Sequence, residues 1–292
     1  MFQVNNTVND EVLQGLQEIP KIINYSWKDK DIKDNKHPLI QNGLKRMIEL
    51  NPDWDVVISD DGDIEKYLKE NLSLKDYTDI KDRHIVEKTD LWRLIKLYNE
   101  GGVYHDLDRY CNISMNSIIT KNIKFVLPTH EDYGFTHCFM ATSPKNPVFC
   151  EAIKDNIKKR KELGSKKIEN KILILGAITW SKTVFNTLFN FTGFSHKKPN
   201  NGINWEMMEG DIRNPLYDGK YTTTYKERPW SFTMTFCLSA DKGLHPPGAF
   251  DLDEKIVEQD NEEFISFDQQ ELFYEHRDDF YNNFRVSHWS HY

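Results

Sequence analysis

The sequence predicts an α/β protein with a mainly parallel central sheet flanked by helices. Three observations carry this expectation. Strand-like and helix-like segments alternate from residue 19 to residue 110. The first strand-like run contains Ile22-Ile23, the continuous apolar pattern of a strand covered on both faces. A pair of aspartates, Asp106 and Asp108, closes a later strand, and open parallel sheets bind ligands at the carboxyl ends of their strands.

Residues 1–18 are polar with valines and leucines at roughly helical spacing, which predicts a short helix or a tail. Residues 19–27 read as the first strand, opened by Pro20 and ending at Trp27. A charged loop follows, then a helix over 37–52 that Pro52 terminates. Residues 54–62 read as a second strand with a plain turn at Asp60-Asp61-Gly62, and 63–82 as a further helix and polar loop.

Residues 84–110 hold the most informative stretch. Leu91, Leu94, Ile95 and Tyr98 recur at i, i+3, i+4 and i+7, one apolar face of a helix. Asp90 and Arg93 are three apart, so they are neighbours on a different face, expected to be exposed. Gly101-Gly102 supplies a helix stop, because glycine tolerates the left-handed conformation that ends helices. Val103-Tyr104-His105 then reads as a strand with Asp106-Leu107-Asp108 at its end. Side chains alternate along an extended chain, so Asp106 and Asp108 point the same way. Two adjacent carboxylates repel unless a proton or a cation lies between them. Carboxylate oxygens are hard ligands suited to Mg²⁺, Mn²⁺ or Ca²⁺.

The rest reads less sharply. Residues 124–149 predict a strand, a turn, a second strand over Phe135–Thr142 and a helix start at Pro147, with His130, Glu131, Asp132 and His137 as a candidate acceptor-binding loop. A basic helix and linker span 151–170, and another helix covers 175–189. Residues 193–262 are dense in aromatic and turn residues, consistent with a few strands and long loops, and Phe284–Trp289 is strand-like.

Composition narrows the function classes. The chain has 292 residues and a formal net charge of −8, mixed rather than blocky, so no basic footprint for nucleic acid is present. The four cysteines lack Cys-x-x-Cys spacing, which argues against a zinc knuckle or a thioredoxin-type site. No stretch approaches the ~20 apolar residues of a membrane span. The first residues carry no basic and apolar signal pattern, and the expected location is cytoplasmic.

The run from Thr89 to Asp108 resembles the signature of glycosyltransferase family 32, which the large clostridial glucosylating toxins share. Asp90, Arg93, Tyr98, Gly101, Gly102, Tyr104, Asp106 and Asp108 all fit it, with Thr89 in the usual serine place. The opening strand ending in Trp27 is similar as well. The resemblance implies a GT-A-like fold: a single catalytic domain over 19–292, with a nucleotide half at 19–150 and an acceptor half at 151–292. It implies a retaining glycosyltransferase with a nucleotide-sugar donor, UDP- or GDP-linked, and a glycan or other hydroxyl acceptor. Trp27 would stack on the base, and Asp90, Arg93 and Tyr98 would hold the donor together with Asp106 and Asp108. Catalysis would fall to Asp106, Asp108 and Arg93. The cation, Mn²⁺ or Mg²⁺, would be held by Asp106 and Asp108, with His288 as a late ligand. Gly176 and Thr179 loosely match a family helix start that lines the donor pocket, with Ala177 where the family has proline. Two other classes fit an aspartate pair: a carboxylate-metal phosphohydrolase, which needs a second ligand cluster, and a catalytically inactive nucleotide-sugar-binding protein.

Overall fold

The computed structural model describes residues 10–28, 30–31, 38–107, 109–111, 114–119, 121, 123–130, 134–135, 137–164, 174–188, 230–234 and 237–239. Asp108, the residues 131–133 and His288 lie outside them, as does the strand expected over Phe284–Trp289.

The described elements build one mixed seven-stranded sheet with helices packed on it. Strand β1 (Ile22–Ser26) pairs in parallel with β2 (Asp55–Ser59) on one side and β3 (Gly102–His105) on the other. Beyond β3 the sheet turns antiparallel: β3 pairs β7 (Phe139–Thr142), which pairs β5 (Phe125–His130). The short β6 (Gly134–Phe135) and β8 (Trp230–Met234) flank β5, and β4 (Arg109–Cys111) pairs β9 (Cys237–Ser239) in a separate ribbon. The expected strand over 135–142 is thus split, with Phe135 in β6 and β7 beginning at Phe139. The parallel half matters most for ligand binding, because β1, β2 and β3 end on the same edge.

The helices are α1 (Asp10–Gln14), α2 (Pro38–Leu50), α3 (Asp61–Asn71), α4 (Leu74–Ile80), α5 (Ile85–Glu100), α6 (Met115–Ile118), α7 (Pro147–Leu163) and α8 (Thr179–Leu188). A π-helical turn, Ile174–Ile178, leads into α8. The expected turn at Asp60-Asp61-Gly62 is instead the start of α3. Asp60 caps it: its side chain accepts from the Asp63 amide at 2.8 Å, and the Asp63 carboxylate accepts from the Asp60 amide at 3.2 Å. That reciprocal box satisfies two amide donors that a helix start otherwise leaves unpaired.

Helix α5 is the central one. Leu91, Trp92, Leu94, Ile95 and Leu97 are all buried, and so are Glu87, Asp90 and Arg93, so the helix is covered on more than one side. It ends where Gly101 takes φ +70° and Gly102 φ +93°. A Cβ on Gly102 would lie 2.7 Å from the Ile22 carbonyl oxygen, so only glycine lets β3 leave the helix so close to β1. Across α5 and α7, Arg160 is buried against Glu87 (Nη1 to Oε2, 3.2 Å) and also donates to Asn156. Asn156 in turn donates to the Leu175 carbonyl at 2.7 Å and ties the π-helical turn to α7.

Candidate active site

The C-terminal edge of the parallel strands gathers most of the residues singled out from the sequence. Ser26 ends β1 and Asp106 follows β3, in a register that pairs Asn24 with Tyr104. Trp27 leaves β1 on the same edge, where its amide donates to the Ser59 carbonyl of β2 at 3.0 Å. It is half-buried there.

Arg93 stands at the centre. Its Nη2 lies 3.2 Å from Asp90 Oδ1 and its Nη1 3.1 Å from Asp106 Oδ1. The guanidinium carbon sits 4.3 Å from the centroid of the Tyr104 ring, a cation–π contact. The Tyr104 hydroxyl donates to Asp106 Oδ1 at 2.6 Å, and since its single hydrogen is spent there, it accepts from Ser26 Oγ at 3.1 Å. The Asp106 amide donates to the Cys138 carbonyl of the neighbouring segment at 2.7 Å.

The pair expected to be exposed is buried: Asp90 is 3% and Arg93 6% accessible. The i, i+3 pairing held, but the face carrying it is covered by the turn at 174–178 and by the segment around His137. Burial pushes the Asp90 carboxyl up to about 6 against the pull of Arg93 and Arg160. Burial alone would lower the Arg93 value, yet Asp106, Tyr104 and Asp90 together hold it above the usual arginine range. Burial, with the Asp106 charge adding to it, lifts the Tyr104 phenol well above its usual value, so it stays a donor. Asp90 Oδ2 has no hydrogen-bond partner among the described residues, a costly state for a buried carboxylate oxygen that a ligand hydroxyl would relieve.

Two contributors come from elsewhere in the chain. His137 Nδ1 is 3.0 Å from Arg93 Nη1, and its carbonyl accepts from the same nitrogen at 2.9 Å. Gly176 lies so close that a Cβ would stand 2.3 Å from His137 Nε2 and 3.0 Å from Asp90 Oδ2. The sequence placed His137 in an acceptor loop and Gly176 only by loose resemblance. Their juxtaposition is tertiary, and no spacing in the chain signals it. Tyr98 is not brought to the cluster. It lies near the far end of α5, where Lys145 Nζ sits 4.6 Å from its ring centroid. Thr179 donates to the Ile174 carbonyl at 2.5 Å, across the π-helical turn that precedes α8.

For a divalent cation, Asp106 fits as one ligand. Its Oδ1 is anchored by Tyr104 and Arg93, and its side chain is 25% exposed. A hard carboxylate oxygen so presented suits Mg²⁺ or Mn²⁺. The described residues hold no group of three or more His, Cys, Asp or Glu that could bind a metal by themselves.

The known proteins that this chain is similar to are sugar transferases. Residues 38–125 match the family model described as a glycosyltransferase sugar-binding region containing the DXD motif. The chain is 30% identical over 138 residues to inositol phosphoceramide mannosyltransferase 1 of Schizosaccharomyces pombe, covering 47% of this chain and 43% of that one. It is 26% identical over 160 residues to a mannosyl phosphorylinositol ceramide synthase of Saccharomyces cerevisiae, covering 52% and 40%. The chain thus spans less than half the length of these relatives. A solved structure, the PaToxG glycosyltransferase, aligns over 61% of this chain and 72% of its own at 16% identity, with a TM-score of 0.45. No described helix is long and apolar enough to cross a membrane. The matched stretch, residues 38–125, contains Asp90, Arg93 and Asp106, so the similarity falls on the residues that meet at this sheet edge.

Proposed function

We propose that this protein is a glycosyltransferase that moves a sugar from a UDP- or GDP-linked donor to a hydroxyl acceptor with the help of Mn²⁺ or Mg²⁺. The observation that carries the reading is Arg93 held between Asp90 and Asp106 at the carboxyl edge of three parallel strands. Asp90 Oδ2, buried and without a described partner, accepts from a donor-sugar hydroxyl. Arg93 donates toward the sugar or diphosphate, and Trp27 stacks on the base at the same sheet edge. Asp106 and Asp108 supply carboxylate oxygens for the cation, and His288 is the proposed late ligand. The cation, when bound, offsets the negative charge that grows on the departing nucleoside diphosphate. Retention of configuration by front-side displacement is the stereochemistry that the family resemblance implies.

The names of the relatives suggest mannose as the first sugar to test and an inositol-bearing glycolipid as a first acceptor. A thermal-shift panel of UDP- and GDP-sugars with and without Mn²⁺ tests the donor class. A shift for one sugar nucleotide that a chelator abolishes supports the reading. No shift with any donor, at concentrations that saturate sugar transferases, overturns it. Binding without release of the nucleotide in the presence of acceptors favours the inactive binding protein instead.

A further inference from the structure

The geometry points to His137, as the neutral Nε2–H tautomer, as the residue that keeps Arg93 in position when Asp106 is drawn toward a cation. The role in cation binding rests on the proposed function. The tautomer follows from geometry alone. A guanidinium has only donors, so Arg93 Nη1 at 3.0 Å from His137 Nδ1 requires Nδ1 to accept. The ring hydrogen then resides on Nε2. Residue 137 also offers its carbonyl to the same nitrogen at 2.9 Å, so it presents two acceptors to one donor group.

Nη1 carries two hydrogens but faces three acceptors: His137 Nδ1 and O, and Asp106 Oδ1 at 3.1 Å. The surplus acceptor has a consequence. Asp106 can turn its carboxylate toward a cation and leave no donor of Arg93 Nη1 unpaired. Nη2 stays on Asp90, and the ring of Tyr104 supports the guanidinium plane. Without the His137 ring nitrogen, Nη1 has one fewer acceptor, and the Arg93–Asp106 ion pair competes directly with the cation for Asp106. Gly176 belongs to the same device. A Cβ there would stand 2.3 Å from Nε2 and push the ring off Arg93. The turn carrying Gly176 is held in place by Asn156, which donates to the adjacent Leu175 carbonyl.

The test uses the full chain and two substitutions. His137→Asn places an acceptor oxygen at the same remove from the backbone as Nδ1, whereas His137→Leu removes the acceptor. Nitrogen NMR of the wild-type imidazole is expected to show Nδ1 bare and Nε2 protonated at neutral pH. Calorimetric titration with Mn²⁺ alone, without donor, is expected to give wild-type affinity within about 3-fold for His137→Asn. It should be weakened about 10-fold or more for His137→Leu, the usual scale for groups that orient metal ligands. With donor, His137→Leu should show the same loss in its Mn²⁺ requirement, with melting near wild type. A protonated Nδ1 in the wild type, or His137→Leu binding Mn²⁺ as tightly as wild type, overturns the inference. Wild-type protein that binds neither Mn²⁺ nor any donor overturns the proposed function and the cation role of His137 with it. The nitrogen shifts still decide the tautomer independently.

Discussion

Replacing Asp90 with asparagine should make the protein lose less stability than wild type as pH rises from about 5 to about 8, while destroying its proposed activity. Asp90 is 3% accessible, and burial raises its carboxyl from the ordinary 3.8 to about 6. A folded-state value above the unfolded one means that the folded protein holds the proton longer. The stability so contributed is complete below pH 4 and is lost as pH rises through 6. The full loss is worth roughly 3 kcal/mol. Between pH 5 and pH 8 about half of it disappears. Asparagine has nearly the same shape and never ionises. The stability of Asp90→Asn relative to wild type should therefore improve by roughly 1–2 kcal/mol from pH 5 to pH 8. Urea denaturation at both pH values measures this. The two proteins are compared at each pH, so other titrating groups cancel. If the relative stability of Asp90→Asn stays flat or falls toward pH 8, the ion pair with Arg93 outweighs burial and the reasoning is wrong.

Two further perturbations test the frame and the donor edge. Gly102→Ala forces a side chain into φ +93° and 2.7 Å from the Ile22 carbonyl, so it should cost on the order of 2–4 kcal/mol in chemical denaturation; a loss under about 1 kcal/mol would show that β1 and β3 can part. Trp27→Ala should weaken nucleotide binding about 5- to 150-fold, the scale of base stacking, without a large change in melting; unchanged affinity in folded protein would make Trp27 a packing residue.

Much of this site was legible because its parts lie close together in the chain. The i, i+3 step joins Asp90 to Arg93, and the glycine pair followed by an apolar run marks the end of α5 and the start of β3. Burial was not legible. An i, i+4 pattern describes one apolar face, but α5 carries Trp92 and Leu97 outside that pattern and is covered on further sides. A polar pair on such a helix is then enclosed by segments contributed from elsewhere. His137 lies 44 residues beyond Arg93, and Gly176 lies further still, so their approach depends on how β7 and the π-helical turn pack. The capping role of Asp60 was missed because the box closes on Asp63, where the usual pattern has glutamate or glutamine. The antiparallel join of β3 with β7 also escaped a reading based on strand–helix alternation, since loops rather than strand composition set direction there.

The proposed sugar transfer depends on a cation held by the paired aspartates. The most direct measurement is release of nucleotide from the donor found in the panel, with and without chelator, by wild type and Asp108→Ala. Asp108→Ala or chelation should lower turnover at least ~10³-fold, the scale of about 4 kcal/mol of transition-state stabilisation, while melting stays close to wild type. Full turnover in excess chelator, or an Asp108→Ala protein as active as wild type, would contradict it.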